Sequence, residues 1–467
     1  MSHFSTKCWT LWGVCTASIW LGQLGRTALL TAVSLSLSML SLTATVHAME
    51  GTSAAGLQRC AAPSNACHVS ENSADLTLAT AVRLALEHNR ELAAAAREIT
   101  GRDGAVLQAG LLKNPTISAE AEDIRRQERS TTLRVGQLFE LGGKRNARRT
   151  AAALARDAAT QDYELRRRTV ILNVAQGFTE VLAAQQQRAL AQEGMDLAER
   201  VLAAAARRVQ AGKVSPVDET KARLGLALAR IDVEQAMRDE QTARRRLTLF
   251  WGDAGPQFGH AVGDLEETVT LPSLDTLQQR LRSSPAFLRA GTDVAQRRAA
   301  LALEQANRSP DISVTAGIRK FAQGGENGLL VGVSIPLPLF DQNQGAILQA
   351  QQQVLQAQDV QHATQTRLLS ELAQTHDALV AVDAEIRLLR SDVLPASRSV
   401  LDAASKGFDY GKFSFLEVVD AQRSLVQQQR LYLRSLANRH RLIAEIDHLL
   451  DVPSRSLPAS AGVGLTK

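Results

Sequence analysis

A chain of 467 residues is long enough for two or three ordinary domains or for one elongated architecture. Aromatic residues make up only 4%, too few for an ordinary globular core, and the richness in Ala, Leu, Gln and Arg suits extended helix packing. The net charge of +5 does not make a nucleic-acid binder: the two signs are interspersed, and Arg166-Arg167-Arg168 and Arg244-Arg245-Arg246 fall inside helical patterns and read as solvated faces.

Residues 1–48 read as a signal peptide. Lys7 and Arg26 supply positive charge, Thr27 to Leu42 is uncharged and largely apolar, and Val46-His47-Ala48 has the small-x-small form of a cleavage site. A membrane anchor is the competing reading, but the apolar stretch is short for one and rich in Ser and Thr. Residues 49–75 read as a flexible segment that holds Cys60 and Cys67 beside Pro63 and Ser64. An oxidising compartment favours a disulfide between the two, and a metal-binding pair with His68 is the other reading.

The first repeat spans 76–266. Strands are expected at about 115–123 and 131–139, because Ile117, Ala119 and Ala121 alternate with Ser118, Glu120 and Glu122, and Leu133 and Val135 with Arg134 and Gly136. Gly142 and Gly143 then permit a sharp strand-to-helix turn. Gly143-Lys144 is not a phosphate loop, since Arg145 replaces the required Ser or Thr and the upstream glycine is missing. Lys144 to Gln210 contains no proline and reads as one helix of about 100 Å, with Ile171, Val174, Phe178 and Val181 on one stripe and Gly177 and Gly194 as candidate weak points. Gly212-Lys213 makes a turn. Ser215 and Asp218 then read as N-cap and N3 of the next helix, with Pro216 at N1.

The second repeat, 271–452, runs in the same order, and 453–467 reads as a flexible tail. Strands are expected at about 310–319 and 328–336, ended by Pro336 and Pro338, which lack ladder donors. Gly411-Lys412 makes the second turn, followed by Ser414 and Glu417 as N-cap and N3. Leu416 with Val419, and Leu442, Ile446 and Leu449, follow helical spacing. The duplication itself is visible: Asn114-Pro115-Thr116-Ile117-Ser118 answers Ser309-Pro310-Asp311-Ile312-Ser313, and Ala211-Gly212-Lys213-Val214-Ser215 answers Tyr410-Gly411-Lys412-Phe413-Ser414, at a period of 195 to 199 residues.

Four amphipathic strands cannot close a barrel, and lipid does not tolerate an open sheet edge. Strands of this length in a membrane therefore require several chains, with polar faces inward and apolar faces toward outer-membrane lipid. A soluble periplasmic coiled-coil scaffold or adaptor with two small hairpins is the alternative.

The chain resembles the TolC-type outer-membrane efflux protein family from about Asp75 to Asp451. Gln137-Leu138-Phe139-Glu140-Leu141-Gly142-Gly143-Lys144-Arg145 and Ile335-Pro336-Leu337-Pro338-Leu339-Phe340-Asp341-Gln342-Asn343-Gln344-Gly345 are similar to the junctions of its heavy-metal branch, typified by the cobalt–zinc–cadmium resistance factor. The resemblance implies a mainly α fold with membrane β-strands: a duplicated helix–strand–strand–long helix–helix unit, assembled as a homotrimer into a twelve-stranded barrel over a periplasmic α-barrel. It implies docking on a periplasmic adaptor and a proton-driven inner-membrane pump. It places Glu417, Asp420 and Asp218 at a closed periplasmic entrance, where carboxylates favour cations. Lys221 stands opposite Asp420 in the repeat, so the ring is not doubled, and Phe413 stands where some drug-exporting relatives carry a basic residue. No metal-ligand pair or nucleophile elbow is visible, and neither an enzyme nor a cofactor is expected. The implied role is a passive exit duct for heavy-metal cations. A duct of the same fold for drugs or polypeptides is the nearest alternative.

Overall fold

The computed structural model describes residues 75–123, 129–267, 272–322 and 324–450, all within one unit, Ser70–Lys467. The expected signal, the segment holding Cys60 and Cys67, residues 124–128 of the first hairpin loop and the C-terminal tail lie outside the described residues.

The first half runs α1 (Leu78–His88), α2 (Arg90–Gly110), β1 (Thr116–Glu122), β2 (Ser130–Phe139), α3 (Lys144–Gln210) and α4 (Pro216–Thr248). The second runs α5 (Leu274–Leu281), α6 (Pro285–Asn307), β3 (Ile312–Phe321), β4 (Asn327–Ser334), α7 (Gln344–Leu388), α8 (Leu394–Asp409) and α9 (Phe415–Leu450). The single helix expected before each strand pair is thus two. Asn89 divides the first pair: its Oδ1 accepts from the Glu91 and Leu92 N–H groups, capping α2, while its Nδ2 donates to the Phe250 carbonyl. Ser284 and Pro285 start α6 in the same way at the second break.

The expected 144–210 helix is one unbroken α3, about 100 Å long. Gly177 does not weaken it; a Cβ there would lie 3.2 Å from the Phe250 ring, so the glycine lets α3 and the end of α4 approach closely. The second-half counterpart is interrupted. Pro395 lacks the N–H that an α-turn needs, and a π-turn at Leu389–Val393 re-registers the chain between α7 and α8.

The four strands form one antiparallel sheet in the order β1-β2-β3-β4. β3 begins at Ile312 and reaches Phe321, two residues later at each end than expected. Pro310 has no donor, and the Asp311 carboxylate instead accepts from Leu141 N–H and Lys144. β4 stops at Ser334, opposite Ser313, before reaching Pro336. Register aligns Ile117, Val135, Ala316 and Val331 in one row and Ala119, Leu133, Ile318 and Leu329 in the next, all on one face. That face is exposed: Ile117 is 75% accessible, Leu329 79% and Val331 73%. The outer edges of β1 and β4 have no strand partner among the described residues.

The main core lies where α3 and α4 meet α5, α7 and α9, around the fully buried Val174, Val181, Leu247, Leu281, Leu372 and Leu379. The predicted stripes place Phe178, Leu442, Ile446 and Leu449 there. Leu416 is an exception at 62% exposed; Phe415, Val418 and Ala421, at spacings of three, form the inward stripe of α9 instead. Leu76 pairs with Ala261 in an isolated parallel bridge, with Leu76 N–H donating to the His260 carbonyl at 2.7 Å.

Two half-buried histidines of α9 sit beside this core. His440 bonds through Nε2 to the Leu265 carbonyl, and burial lowers its pKa below the ordinary 6.5, with Arg439 lowering it further and Asp264 and Glu267 opposing. Burial likewise lowers His448, beside Arg168 and Glu371. Each takes a proton less readily in the fold than in the unfolded chain. Their contribution is therefore complete above pH about 6.5 and is lost as pH falls toward the folded-state values. Thermal unfolding of the purified protein in detergent should show a lower midpoint at pH 5.5 than at pH 7.5, and His440→Gln with His448→Gln should flatten that difference. Equal pH slopes in the two proteins would refute the assignment.

Candidate functional site

The predicted site residues gather at opposite ends of α3. At one end stands the strand-to-helix junction. Gly142 and Gly143 both have positive φ, +69° and +72°, and Gly143 is the N-cap of α3. A Cβ on Gly142 would come within 2.3 Å of Ser309 Oγ, so this turn packs directly on the second repeat. Around it Lys144 Nζ meets Asp311 at 2.6 Å, and Arg148 grips Glu140 through two bonds of 2.7 and 2.9 Å. The Arg148 bonds hold the Glu140 carboxyl below its usual pKa. Arg145 and Arg148 also donate to the Gly110 and Ala109 carbonyls, closing the end of α2. In the second repeat the N-cap before α7 is Asn343, also at positive φ (+58°), whose amide donates to the Glu304 carbonyl and carboxylate. Pro336 and Pro338 flank exposed Leu337, with Leu339 and Phe340 exposed beyond them.

At the other end the two Gly-Lys turns form a pair. α3 closes with Gly212 N–H on the Val209 carbonyl and Lys213 N–H on the Arg208 carbonyl; α8 closes with Gly411 on Phe408 and Lys412 on Gly407. Gly212 and Gly411 sit at φ +65° and +74°, the left-handed position this helix ending requires. Ser215 Oγ then accepts from the Val217 N–H, and the Glu417 carboxylate accepts from the Ser414 N–H at 2.6 Å. Glu417 is thus a capping residue. Asp218 lies 3.9 Å from Lys221. Asp420 is exposed and makes no hydrogen bond or ion pair among the described residues.

A small core of Ala205, Ala222, Phe408, Phe415, Val418 and Ala421 brings the two tips together. Sequence reasoning missed the residue that ties them. The Arg208 guanidinium lies 4.1 Å above the Phe408 ring and donates to the Asp409 carbonyl at 2.9 Å. An Arg among many in an Ala-rich helix carries no local signal for such a contact. No helix among the described residues is long and apolar enough to cross a membrane, and no three His, Cys, Asp or Glu side chains form a metal-holding group there.

The profile described as "Outer membrane efflux protein" matches residues 81–253 and 276–450, one segment in each repeat. The chain belongs to this family. It is an outer-membrane efflux channel subunit. It is 37% identical, over 81% of its length and 91% of the relative's, to the cobalt-zinc-cadmium resistance protein CzcC of Cupriavidus metallidurans. It is 27% identical to the nickel-cobalt-cadmium resistance protein NccC of Alcaligenes xylosoxydans xylosoxydans, over 59% of this chain and 63% of that protein. Among solved structures, CusC superposes with a TM-score of 0.70 at 20% identity, covering 81% of this chain and 93% of the other. The open-state MtrE channel of Neisseria gonorrhoeae gives 0.65 at 18% identity, covering 80% and 88%. These likenesses support the same mainly α fold with a few strands.

Proposed function

We propose that this subunit is the passive exit duct of a three-part, proton-driven efflux system for heavy-metal cations. Three copies would supply twelve strands to one barrel, with the long helices continuing as a tube into the periplasm to meet an adaptor and an inner-membrane pump. The observation that supports this most is the sheet: four strands with an exposed apolar face, a largely polar opposite face and, among the described residues, two unpartnered edges. Such a sheet has no stable place in lipid until neighbouring copies complete it. The same exposed apolar face argues against a soluble scaffold. The cargo follows from the cobalt, zinc, cadmium and nickel named for the relatives. In this reading residues 1–48 direct the chain across the inner membrane and are removed.

The tip of α8 and α9, with that of α3 and α4, would form the periplasmic entrance, narrowed by Asp420 and flanked by Asp218 and Glu417. Because Glu417 caps α9, its removal mixes gating with a local loss of about 1 kcal/mol, so Asp420 is the cleaner probe. In planar bilayers Asp420→Asn should raise conductance or lower cation preference; unchanged single-channel behaviour would reject the entrance assignment. Outer-membrane extracts should contain a heat-modifiable trimer. A deletion strain should become sensitive to zinc, cobalt, cadmium or nickel, and sensitivity to drugs alone would replace the metal reading with a drug duct.

A further inference from the structure

The polar face of the sheet carries an ordered set of charges. Arg134 on β2 reaches Glu120 on β1 at 3.2 Å. Arg319 on β3 donates through Nε to Thr132 Oγ1 at 3.1 Å and extends toward Glu122, 3.9 Å away. Ser130 Oγ donates to that same Glu122 at 3.1 Å, fixing the carboxylate from the other side. Thr132 beneath Arg319 is only 1% exposed. The guanidiniums therefore lie along the wall and do not stand away from it.

Glycine makes this possible. Gly317 is the register partner of Arg134, and a Cβ there would fall 2.9 Å from Arg134 Cγ and 2.4 Å from the Leu133 carbonyl. Gly328 is the register partner of Arg319. Where Arg134 needs room, β3 has no side chain, and nothing on β4 competes with Arg319 as it turns toward Thr132 and Glu122. The result is asymmetric: Glu120 and Glu122 keep 53% and 52% of their side-chain surface exposed, against 37% and 28% for Arg134 and Arg319. Two positive and two negative charges cancel in number, but the carboxylates stand nearer the open space.

We propose that these four residues form a selectivity belt inside the barrel, with Glu120 and Glu122 as the carboxylates that passing cations meet and Arg134 and Arg319 as the positioning residues that hold them. The belt rests on the reading that polar strand faces line the lumen. It acts independently of Asp420, because it sits on the sheet and the tip lies at the far end of α3. A wall of paired charge in a narrow pore admits cations along its carboxylates without the tight binding that would stall them.

The test is the reversal potential of the purified mature protein in planar bilayers across a KCl gradient. Wild-type channels should prefer potassium. Glu120→Gln with Glu122→Gln leaves two unpaired positive charges per chain and should lower the cation-over-anion permeability ratio by at least about threefold. Arg134→Gln with Arg319→Gln should shift the ratio the opposite way, giving a second reading if the first variant does not assemble. Wild-type channels whose preference is the same in both variants, or shifts in one direction for both, overturn the belt alone. A wild-type protein that forms no channel overturns the duct and the belt together.

Discussion

Replacing Gly142 with valine is expected to abolish assembly of the channel. Two costs add at this position. The backbone is left-handed at φ +69°, a region costing an L-residue about 1–2 kcal/mol and a β-branched one more. A Cβ would also meet Ser309 Oγ at 2.3 Å, Ser309 Cβ at 2.4 Å and the Ala306 carbonyl at 3.1 Å. Relieving that overlap costs a further roughly 1–3 kcal/mol and pushes α3 away from the start of β3. The two repeats meet here, so the displacement would be carried into the sheet. Gly143 provides the control. Its φ is +72°, but nothing lies within 4 Å of a Cβ, so Gly143→Ala should cost only the backbone part. Gly142→Ala combined with Ser309→Gly should regain part of what Gly142→Ala loses. The measurement is the yield of heat-modifiable oligomer in outer-membrane extracts with its thermal midpoint. Equal behaviour of Gly142→Val and Gly143→Ala would show that contact with Ser309 does not matter.

Arg439→Met should be the most destabilising single change in the core that involves a polar side chain. Arg439 is 5% exposed on α9 and donates from one terminal nitrogen to the Leu265 and Glu267 carbonyls, at 2.8 and 2.7 Å. These carbonyls belong to the segment that follows α4, which has little regular structure and whose backbone must find partners elsewhere. Methionine fills much of the volume but donates nothing. The Leu265 carbonyl would keep His440, whereas Glu267 would be left without its donor. The loss should be about 2–4 kcal/mol. Denaturant unfolding gives the total, and limited proteolysis between residues 252 and 267 should show that this segment opens first. Protection of the segment at wild-type level would count against its being held by Arg439.

Much of the architecture is legible in the sequence. Period-two alternation fixed which faces of the strands are apolar, and the proline-free stretch from Lys144 to Gln210 gave α3 its bounds. Both signals are local: alternation comes from pleat geometry and helix length from the absence of a breaker. The Gly-Lys turns were equally visible, because only a residue at ease at positive φ closes a helix in that way. The extra helix breaks at Asn89 and Ser284 were missed. Capping residues in the middle of helical composition look like ordinary polar positions until a distant group, such as the Phe250 carbonyl, uses them.

The sequence by itself determined the duplication, the amphipathic strands, the long helix and the helix-ending turns, since each depends on the conformational preferences of a few adjacent residues. Only the tertiary structure decided which distant residues share a function: Arg208 on Phe408, Gly142 against Ser309, Arg439 on the Leu265 and Glu267 carbonyls, Arg134 beside Gly317 and Arg319 on Thr132. Those contacts join positions scores of residues apart. Their energies come from burial, excluded space and pairing across elements, which no spacing along a single strand or helix encodes.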